Sequence, residues 1–529
     1  MIKLLDYGAG NIRSVRNAIK LLGYDVENVS SPDEIYNADQ LIFPGVGNFG
    51  VVMNRLSRDG YVEPLIKRIN ENKPLLGICV ALQTFFEGSE EAPGVKGLGV
   101  IPGMVKRFDD SGLSVPQIGW NGVTLKKQSS LFNGYKNEKL YFVHSYYGEI
   151  TENNDSWILS TTDYGCKFIS SVEKGNISAF QFHPEKSGEA GLNLLKNYLS
   201  EIQKKSEISI TDTKKCQPTS LAKRVIACLD VRTNDQGDLV VTKGDQYDVR
   251  EKGEVRNLGL PVELAKRYYL EGADEITFLN ITGFRDFPMK DQPMLEVLKR
   301  TSENVFVPLT IGGGIQSFTD SEGKSYSALD VASSYFRSGA DKVSIGSDAV
   351  YEAEKYIKSG ELSGKSSIEQ ISQVYGAQAV VISVDPKRIY VHSPDDTSKH
   401  TISTKFHGPA GELYCWYQCT VKGGREGRDL DVIELVQSCE RMGAGEILLN
   451  CIDKDGTNSG FDIELIQHVK SAVRIPVIAS SGAGNPDHFV QVFLETNVEA
   501  ALAAGIFHRR EVPIIDVKTA MTVSDIETR

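Results

Sequence analysis

A cysteine at the end of an apolar run is placed where it could act as a nucleophile. Cys79 lies in the segment 77–81, which reads Gly-Ile-Cys-Val-Ala and is followed by a helical pattern. On such a strand-to-helix turn the sulfur is exposed, and the start of the helix favours the thiolate. The alternative interpretation is a cysteine that is simply packed at the end of a buried strand.

A histidine and a glutamate further along the chain supply the partners that a nucleophilic cysteine needs. Residues 181–185 read Gln-Phe-His-Pro-Glu. His183 can take the proton of the Cys79 thiol, and Glu185 can orient the imidazole and stabilise its cation. A His-x-Glu sequence alone is usually a surface feature. Combined with the cysteine turn, it predicts a catalytic triad.

A glycine-bearing loop provides a candidate oxyanion hole. Residues 44–48 read Pro-Gly-Val-Gly-Asn and follow an apolar run. The loop formed by Gly45, Val46 and Gly47 can bring backbone N–H groups close to a developing oxyanion, together with the N–H of Val80. The alternative interpretation of this sequence is an ordinary turn.

Two aspartates in the second half of the chain occupy equivalent positions. Asp230 and Asp385 each end a strand-like run, at 225–230 and 379–385. Two carboxylates across one substrate suit general acid and general base roles if their environments separate their pKa values. Either aspartate alone could be a helix N-cap, but the repetition at equivalent strand ends favours function.

Glycine loops after four further strand-like runs predict phosphate binding. Loops that open onto helix N-termini hold phosphate with their backbone N–H groups. They occur as two equivalent pairs, which predicts two phosphates on opposite sides and therefore an elongated bisphosphate substrate. The residues concerned are Gly313, Gly314, Gly346, Ser347, Ser481, Gly482, Gly484 and Gly505. Lys243 could add a cation near the same substrate, its alternative being a solvated loop lysine.

The elements that must position the triad alternate between strands and helices. Residues 41–44 and 75–79 have the pattern of buried parallel strands, and residues 13–22 that of an amphipathic helix. This predicts an α/β domain over residues 1–202. Residues 203–221 are polar, lack periodicity and contain a proline, so we interpret them as an interdomain linker.

Residues 222–529 repeat one pattern, in which each strand-like run is followed by a helical pattern. The runs of the first half lie at 225–230, 276–280, 307–311 and 342–346, and those of the second half at 379–385, 446–450, 475–479 and 500–505. Eight such units predict a (β/α)8 barrel of two half-barrels, with both aspartates at its C-terminal mouth. The alternative is an open doubly wound sheet, which the preserved strand order disfavours. Longer polar segments are predicted as loops at 232–257, 316–327, 359–368 and 388–414.

Composition predicts a soluble cytoplasmic protein. The 529 residues are 40% hydrophobic and 24% charged, which are ordinary values for a globular protein. The net charge of −12 argues against broad binding to nucleic acid or to an anionic membrane. No run approaches the roughly 18 apolar residues of a membrane span, and no signal or transit pattern is present at the N-terminus.

The eight cysteines are scattered without the spacing of a redox or zinc motif. Cys415 and Cys419 are separated by three residues, but no His or Cys pair follows that would complete a metal site. We therefore predict no metal and no cofactor. Most of the thiols should be small buried hydrophobic groups in a reducing compartment, with Cys79 as the exception.

The motifs of the first half resemble those of the class I (triad) glutamine amidotransferases. The resemblance covers most of residues 1–200 and implies a flavodoxin-like α/β domain that frees ammonia from glutamine. Its implied roles are Cys79 as nucleophile, His183 as base, Glu185 as orienter, Gln83 as a glutamine-binding residue, and His144, Ser145 and Tyr146 as the border of the same pocket. The family usually has glycine two residues after the cysteine, where this chain has Ala81.

The motifs of the second half resemble the cyclase barrel of histidine biosynthesis, a close relative of the isomerase barrel of that pathway. The resemblance covers about residues 222–520. It rests on the phosphate-binding glycine loops and on segments 228–231 (Cys-Leu-Asp-Val), 384–387 (Val-Asp-Pro-Lys) and 453–457 (Asp-Lys-Asp-Gly-Thr). It adds Asp455, Gly456 and Thr457 to the candidate substrate-binding residues.

A glutaminase followed by this barrel resembles the fused enzymes of histidine biosynthesis in fungi and other eukaryotes. Besides glutamine, the resemblance implies a substrate with a phosphate at each end, a phosphoribulosyl-formimino derivative of aminoimidazole carboxamide ribotide. The implied products are imidazole glycerol phosphate and aminoimidazole carboxamide ribotide. Both activities would lie in one chain, which we expect to be monomeric.

The two sites should share a dry route, because ammonia released into water would mostly be protonated. Charged residues near the starts of four barrel strands could form a ring of two cations and two anions, or only a solvated rim: Arg224, Glu275, Lys342 and Glu446. In the family such a ring is regarded as the ammonia entry gate. The resemblance also suggests that Lys186 and Asp341 pair across the domain interface.

The sequence disfavours two alternative functions. A sugar-phosphate isomerase barrel with an unrelated fused domain is disfavoured, because an isomerase has no use for ammonia. A non-catalytic glutamine-sensing module on a binding barrel is disfavoured by the intact set of Cys79, His183 and Glu185.

Overall fold

The computed structural model describes residues 1–8, 10–200, 218–234, 239–242, 250–251, 254–255, 258–281, 292–320 and 323–529. Lys243 and residues 203–217 of the predicted linker lie outside the described residues.

The first 200 residues fold as an α/β domain. Its strands are β1 (Ile2–Leu4), β2 (Val26–Asn28), β3 (Gln40–Phe43), β4 (Leu75–Ile78), β5 (Gly88–Ser89), β6 (Met104–Arg107), β7 (Gln117–Asn121), β8 (Thr124–Leu125), β9 (Leu140–His144), β10 (Tyr146–Gly148), β11 (Ile158–Tyr164), β12 (Cys166–Lys174) and β13 (Ile177–Phe180). Its helices are α1 (Ile12–Leu21), α2 (Pro32–Asn37), α3 (Phe49–Arg58), α4 (Val62–Asn70), α5 (Val80–Thr84) and α6 (Gly188–Ser200).

The main sheet of this domain has the order β2-β1-β3-β4-β13-β12-β11-β8. Its parallel part, from β2 to β13, has the order of flavodoxin-like sheets, and the remaining strands pair antiparallel. Strands β3 and β4 are buried throughout because helices cover both faces of the parallel region. The predicted α/β fold is confirmed.

The second half of the chain contains β14 (Arg224–Thr233), β15 (Leu239–Thr242), β16 (Arg250–Glu251), β17 (Glu254–Val255), β18 (Glu275–Asn280), β19 (Leu309–Gly312), β20 (Phe318–Thr319), β21 (Ser325–Tyr326), β22 (Lys342–Ile345), β23 (Val380–Val384), β24 (Pro386–Val391), β25 (Ile402–Ser403), β26 (Tyr414–Val421), β27 (Glu426–Asp431), β28 (Glu446–Asn450), β29 (Val477–Ser480) and β30 (Ala500–Ala503). Its helices are α7 (Pro261–Leu270), α8 (Gln292–Thr301), α9 (Ala328–Ser338), α10 (Ser347–Ser359), α11 (Ser367–Tyr375), α12 (Val432–Met442), α13 (Ile463–Ala472), α14 (Pro486–Thr496), α15 (Gly505–His508) and α16 (Ile514–Val523).

Eight of these strands form a closed parallel barrel. They follow one another as β14-β18-β19-β22-β23-β28-β29-β30, and β14 pairs with β30 to close the ring. The (β/α)8 prediction is therefore confirmed, and the open doubly wound sheet is excluded.

The interior of the barrel follows from the two-residue period of its strands. Alternate residues of a strand point to the same face, so Arg224, Ile226, Cys228 and Asp230 of β14 follow one another from the bottom to the mouth of the barrel. Between the two charged ends lies a buried apolar group, which we call the interior cluster: Ile226, Cys228, Val381, Leu448, Ile478, Ala500 and Leu502.

The first barrel strand does not end at Asp230, as the sequence predicted. It continues to Thr233, and residues 230–233 pair antiparallel with β15. Asp230 lies where the parallel pairing with β18 is about to end, at Val231. The apolar run in the sequence predicted the part of the strand that is buried in the barrel. The extension after Asp230 is more polar and gave no comparable signal.

Three of the predicted loops contain strands. The segment 232–257 contains the end of β14 and all of β15, β16 and β17. The segment 316–327 forms the hairpin of β20 and β21, and the segment 388–414 contains most of β24, all of β25 and the start of β26. The sheets of the last two segments stand outside the barrel, and the strand segments within the predicted loops are short or mix apolar with polar residues. The predicted loop at 359–368 is correct between α10 and α11.

Candidate active sites

The nucleophile candidate lies on a strained turn. Cys79 separates β4 from α5, has a φ of 55° and a ψ of −110°, and donates its backbone N–H to the Phe180 carbonyl at 2.7 Å. A non-glycine residue held at positive φ costs about 1–3 kcal/mol, which surrounding structure must offset. Ala81 is accommodated at the start of α5, since even a Cβ at the facing Gly77 would lie at an ordinary contact distance of 3.4 Å from the Ala81 methyl.

His183 and Glu185 meet beside this turn, in the segment that follows β13. His183 Nδ1 lies 2.8 Å from Glu185 Oε1, and both side chains are almost completely buried. Burial alone would lower the pKa of His183, but the charges of Glu185 and Cys79 beside it raise it well above its ordinary value. His183 Nε2 has no well-aligned hydrogen-bond partner among the described residues, which leaves it facing the Cys79 region.

The loop at residues 45–47 packs tightly on the turn. A Cβ at Gly45 would lie 2.3 Å from Val80 Cγ1, so only glycine allows this approach. Tyr7 donates its hydroxyl to the Val46 carbonyl at 3.5 Å, and burial raises the pKa of Tyr7 so that it stays protonated. Asn48 donates its backbone N–H to the Val374 carbonyl of α11 at 3.3 Å, which ties the loop to the barrel domain.

Gln83, His144 and Tyr146 form one hydrogen-bonded group. The Tyr146 carbonyl accepts from Gln83 Nε2 at 2.9 Å and from His144 Nδ1 at 2.7 Å. Burial lowers the pKa of His144 to about 3, so the imidazole is neutral. Ser145 lies between them in the chain, and its carbonyl accepts from the Phe108 N–H at 3.1 Å.

Sequence reasoning missed two polar residues near the triad. Gln181 Nε2 lies 3.6 Å from Cys79 Sγ, and its Oε1 accepts from Gln83 at 3.2 Å. Glu91 accepts from the Phe49 N–H at 2.7 Å, next to the 45–47 loop, and burial raises its pKa to about 7. The proximity of Gln181 to His183 in the sequence was a usable signal, whereas Glu91 looked like a surface residue.

The four predicted ring residues are each the first residue of a barrel strand, and the structure brings them together. Arg224 pairs with Glu275 at 2.8 Å and also with Glu446; Lys342 pairs with Glu275 at 2.7 Å and with Glu446 at 2.6 Å. All four are completely or almost completely buried, so the solvated rim is excluded. Burial opposes these charges, but the carboxylates raise the pKa of Arg224 above its ordinary value and the two cations lower that of Glu446.

The first domain covers this ring. Tyr141 of β9 is buried, and its pKa is raised well above the ordinary value by burial and by Glu275. Trp120 of β7 donates its indole N–H to the Asp274 carbonyl at 3.2 Å, one residue before Glu275. The predicted interface pair is also formed, with Lys186 Nζ 2.7 Å from Asp341 Oδ2.

Asp230 and Asp385 stand at the other end of the barrel and share a charged neighbour. Burial, followed by the charge of Asp455, raises the pKa of Asp230 to about 7. The same two causes raise the pKa of Asp385, against a hydrogen bond from Asn450 Nδ2 to its Oδ1 at 2.9 Å. Because Asp455 acts on both, the three carboxyl groups lie around one region of the barrel mouth.

The glycine loops of the two half-barrels have matching backbones. Two successive residues of positive φ follow β19, Gly313 (100°) and Gly314 (73°), and two follow β29, Ser481 (73°) and Gly482 (99°). Gly460 lies three residues after the Asp455-Gly456-Thr457 segment. Its carbonyl oxygen would lie only 2.2 Å from a Cβ at position 482, so the close approach of the two loops requires glycine there.

Three of the four loops open onto a helix, as predicted, and one does not. Ser347 and Gly505 are the first residues of α10 and α15, with Gly346 just before α10, and Gly484 lies two residues before α14. The loop at 313–314 is separated from α9 by the β20–β21 hairpin, so the prediction that it opens directly onto a helix was wrong. The hairpin lies in a polar segment without a strand-like apolar run.

Comparisons with known proteins agree with this arrangement in both halves. A family model described as glutamine amidotransferase class-I matches residues 3–202, and one described as histidine biosynthesis protein matches residues 224–513. The chain is 58% identical to imidazole glycerol phosphate synthase hisHF, chloroplastic, of Arabidopsis thaliana, over 100% of this chain and 89% of the relative. It is 55% identical to imidazole glycerol phosphate synthase hisHF of Schizosaccharomyces pombe, over the full length of both.

The chain belongs to the imidazole glycerol phosphate synthase hisHF family. It is a bifunctional enzyme of histidine biosynthesis, with a glutamine amidotransferase domain and a cyclase domain. The relative from Emericella nidulans is 57% identical over 98% of this chain and 96% of its own. The barrel alone is similar to the subunit HisF of Methanobrevibacter smithii, at 41% identity over 58% of this chain and 99% of that subunit.

The described residues contain no group of three or more His, Cys, Asp or Glu side chains arranged to hold a metal ion. None of their helices is long and apolar enough to cross a membrane. Cys415 and Cys419 are buried free thiols of β26.

Proposed function

We propose that the first domain hydrolyses glutamine and that the barrel uses the released ammonia on phosphoribulosyl-formimino-aminoimidazole carboxamide ribotide. The products would be imidazole glycerol phosphate and aminoimidazole carboxamide ribotide. The observation that carries the proposal is the order of groups along the barrel: the domain with the triad covers the charged ring at the bottom, and Asp230 and Asp385 stand at the mouth.

In the first domain, His183 would take the proton of the Cys79 thiol, and the sulfur would attack the side-chain amide carbon of glutamine. Backbone N–H groups of Val80 and of the 45–47 loop would stabilise the negative charge on the amide oxygen. His183 would then return the proton to the leaving nitrogen, which departs as ammonia. Water would hydrolyse the thioester to glutamate, with Glu185 orienting the imidazole in both steps.

Glutamine itself would lie between this loop and the group of Gln83, His144, Ser145 and Tyr146. The Gln83 amide already bonds to Gln181 and to the Tyr146 carbonyl, so it would hold the pocket in shape as well as contact the substrate.

Ammonia would enter the barrel through the ring, which acts as a gate. One member must move, because the four side chains are buried and mutually paired. Lys342 is best suited, since its ammonium lies on a flexible stem, whereas Glu275 also accepts from Thr310 at 2.6 Å. Beyond the ring the interior cluster is apolar, which disfavours the ammonium ion and keeps ammonia a nucleophile.

At the mouth, Asp230 and Asp385 would share the proton transfers. Asp230, with a pKa near neutrality, is suited to donate a proton to a leaving group; Asp385, whose carboxylate Asn450 stabilises, is suited to accept one from the nitrogen nucleophile. The two phosphates of the substrate would be held by Gly313, Gly314, Gly346 and Ser347 on one side, and by Ser481, Gly482, Gly484 and Gly505 on the other, with Lys243, Asp455, Gly456 and Thr457 as further substrate-binding residues.

We further propose the domain limits 1–202 and 222–529 with a linker at 203–221, a monomeric state, and the cytoplasm as the compartment. The start of the first barrel strand at Arg224, two residues after Ala222, supports the upper limit of the linker. Sedimentation and cell fractionation would test the last two points.

The Cys79→Ala variant tests the assignment of the two activities. We expect glutamine-driven product formation to fall by roughly 10³-fold or more, as on removal of other catalytic nucleophiles, and ammonium-driven formation to persist. Cys166→Ala, which changes an exposed cysteine of the same domain, is the control and should retain both. Loss of both activities in Cys79→Ala would contradict the proposal.

A second experiment tests the internal route. Glutamine-driven turnover would be measured with an excess of an enzyme that consumes free ammonia. We expect turnover to continue, and complete suppression would count against a sealed passage.

A further inference from the structure

A cavity separate from the glutamine pocket lies beside the triad, at the outer edge of the interface between the domains. It measures about 220 Å³, and its lining includes Asp6, Arg13 and Arg16 of the first domain and Arg337 of the barrel. None of these residues belongs to the sites described above. The cavity is therefore a separate site that both domains build.

The cavity concentrates positive charge in a protein whose net charge is −12. Arg13 donates through Nε to the Arg337 carbonyl at 3.2 Å, and Arg16 donates to the Val26 carbonyl at 3.2 Å and to Asn28. Among the described residues, Asp6 is the one carboxylate that reaches any of the three guanidinium groups, 3.5 Å from Arg337. Three arginines thus line the cavity together with one carboxylate.

The backbone around the cavity favours the same kind of ligand. Ile12, the first residue of α1, is part of the lining, and the first N–H groups of a helix attract anions. Asp6 Oδ1 is engaged by the Gly8 N–H at 2.8 Å, which holds part of its charge away from the arginines. Guanidinium groups suit planar or tetrahedral oxyanions, and three of them favour a doubly charged one.

We propose that this cavity binds a phosphate group, free or carried by a small monoester, and that the bound anion links the two domains. Arg337 projects from α9 of the barrel and Arg13 and Arg16 from α1 of the first domain, so one ligand would contact both. The proposal does not depend on the roles assigned to the barrel loops.

A ligand here would also contact a wall of the triad site. Gly10 and Ile12 line this cavity and also a small cavity bounded by Val46, His183 and Glu185. A Cβ at Gly10 would lie 3.2 to 3.3 Å from the Val46 side chain and backbone, so the segment that would bind phosphate packs directly against the oxyanion loop. Ordering of this segment by a bound anion would therefore alter the packing of the 45–47 loop beside the triad.

Hydrogen exchange of the full chain distinguishes this site from the barrel loops. Exchange would be followed by mass spectrometry in inorganic phosphate, in ribose 5-phosphate, and in chloride of equal ionic strength. We expect at least one of the two phosphate probes to protect peptides covering residues 6–16 and 330–341. Protection by only one of them identifies the source, and protection by neither, or equal protection in chloride, would overturn the proposal.

Variants test which side chains are responsible. In the double variant Arg13→Gln, Arg337→Gln, the phosphate concentration needed to protect residues 6–16 should rise by about tenfold or more, because two charge-assisted contacts are lost. Arg337→Gln alone changes a side chain that is 59% exposed and should fold normally. Arg58→Gln, an exposed arginine paired with Asp59, is the control and should behave as the unchanged chain. Unchanged protection in both cavity variants would overturn the proposal.

Discussion

Lys186 Nζ lies 2.7 Å from Asp341 Oδ2 across the domain interface, and each residue is the chain neighbour of a group in one of the candidate sites. Lys186 follows Glu185 of the triad, and Asp341 precedes Lys342 of the ring. Asp341 also accepts from the Asn11 amide at 2.9 Å and from the Leu309 N–H at 2.8 Å. A shift of one domain against the other would therefore move a residue beside each site.

Replacing Lys186 by methionine should uncouple the two activities. Removing one partner of a buried charged pair at an interface costs about 2–5 kcal/mol, because Asp341 would keep its charge without its cation. We expect glutamine-driven turnover to fall roughly tenfold or more, with ammonium-driven turnover retained. Both rates would be measured on the same preparation.

Asn17→Ala is the matched control for this experiment. Asn17 donates to Ser302 Oγ at 3.0 Å across the same interface, without a charge. An equal loss of glutamine-driven turnover in both variants would contradict a special role of Lys186.

The pH dependence of the cyclase should reveal Asp230. Its pKa of about 7 means that the carboxyl group is protonated below neutrality and charged above it. If Asp230 donates a proton, kcat/KM with ammonium salt should fall as the pH rises through about 7, once the concentration of unprotonated ammonia is held constant. A rate that rises through this pH would instead assign Asp230 as the base.

Asp230→Asn should stabilise the protein at alkaline pH. The folded-state pKa is above the unfolded value of about 3.9, so ionisation of Asp230 favours unfolding as the pH rises from about 4 to about 7. At pH 8 the free energy of unfolding of the Asp230→Asn variant should be about 2 kcal/mol higher than that of the unchanged chain, and at pH 4 the two should be nearly equal. Denaturant titrations at both pH values measure the difference, and equal effects at both would contradict it.

Lys342→Ala should destabilise the barrel. It leaves Glu275 and Glu446 buried with Arg224 as their shared cation, and breaking a buried ion pair costs about 3–5 kcal/mol. Lys355→Ala, which breaks an exposed pair with Glu352, should cost no more than about 1 kcal/mol. Denaturant titration of both variants measures the two losses of unfolding free energy, and losses of similar size would contradict the buried pairing.

The sequence predicted those features that depend on local pattern. The two-residue period and the apolar runs located the barrel strands, and the charge at the start of four of them located the ring. The position of Cys79 between an apolar run and a helical pattern located the turn. In each case the signal lies within a few residues of the feature.

Features that depend on distant contacts were not predictable in this way. Glu91 is held in place by its bond to the Phe49 N–H, 42 residues away in the chain, and its surroundings in the sequence resemble a solvated loop. The extension of β14 beyond Asp230 depends on pairing with β15, and the hairpin before α9 depends on pairing of two strands of two residues each. β15 has a short apolar run, but it lies in an otherwise polar segment, and the hairpin strands are too short to show a period.

The bond from the Asn48 N–H to the Val374 carbonyl joins main chain to main chain, as do those from Gly188 to Phe306 and from Val115 to Arg474. Replacing a side chain at any of these positions leaves the N–H and the carbonyl of each bond in place. The exception is proline at a donor position, because proline has no backbone N–H. Over evolutionary time the two surfaces can therefore exchange many residues while the relative placement of the domains is inherited unchanged.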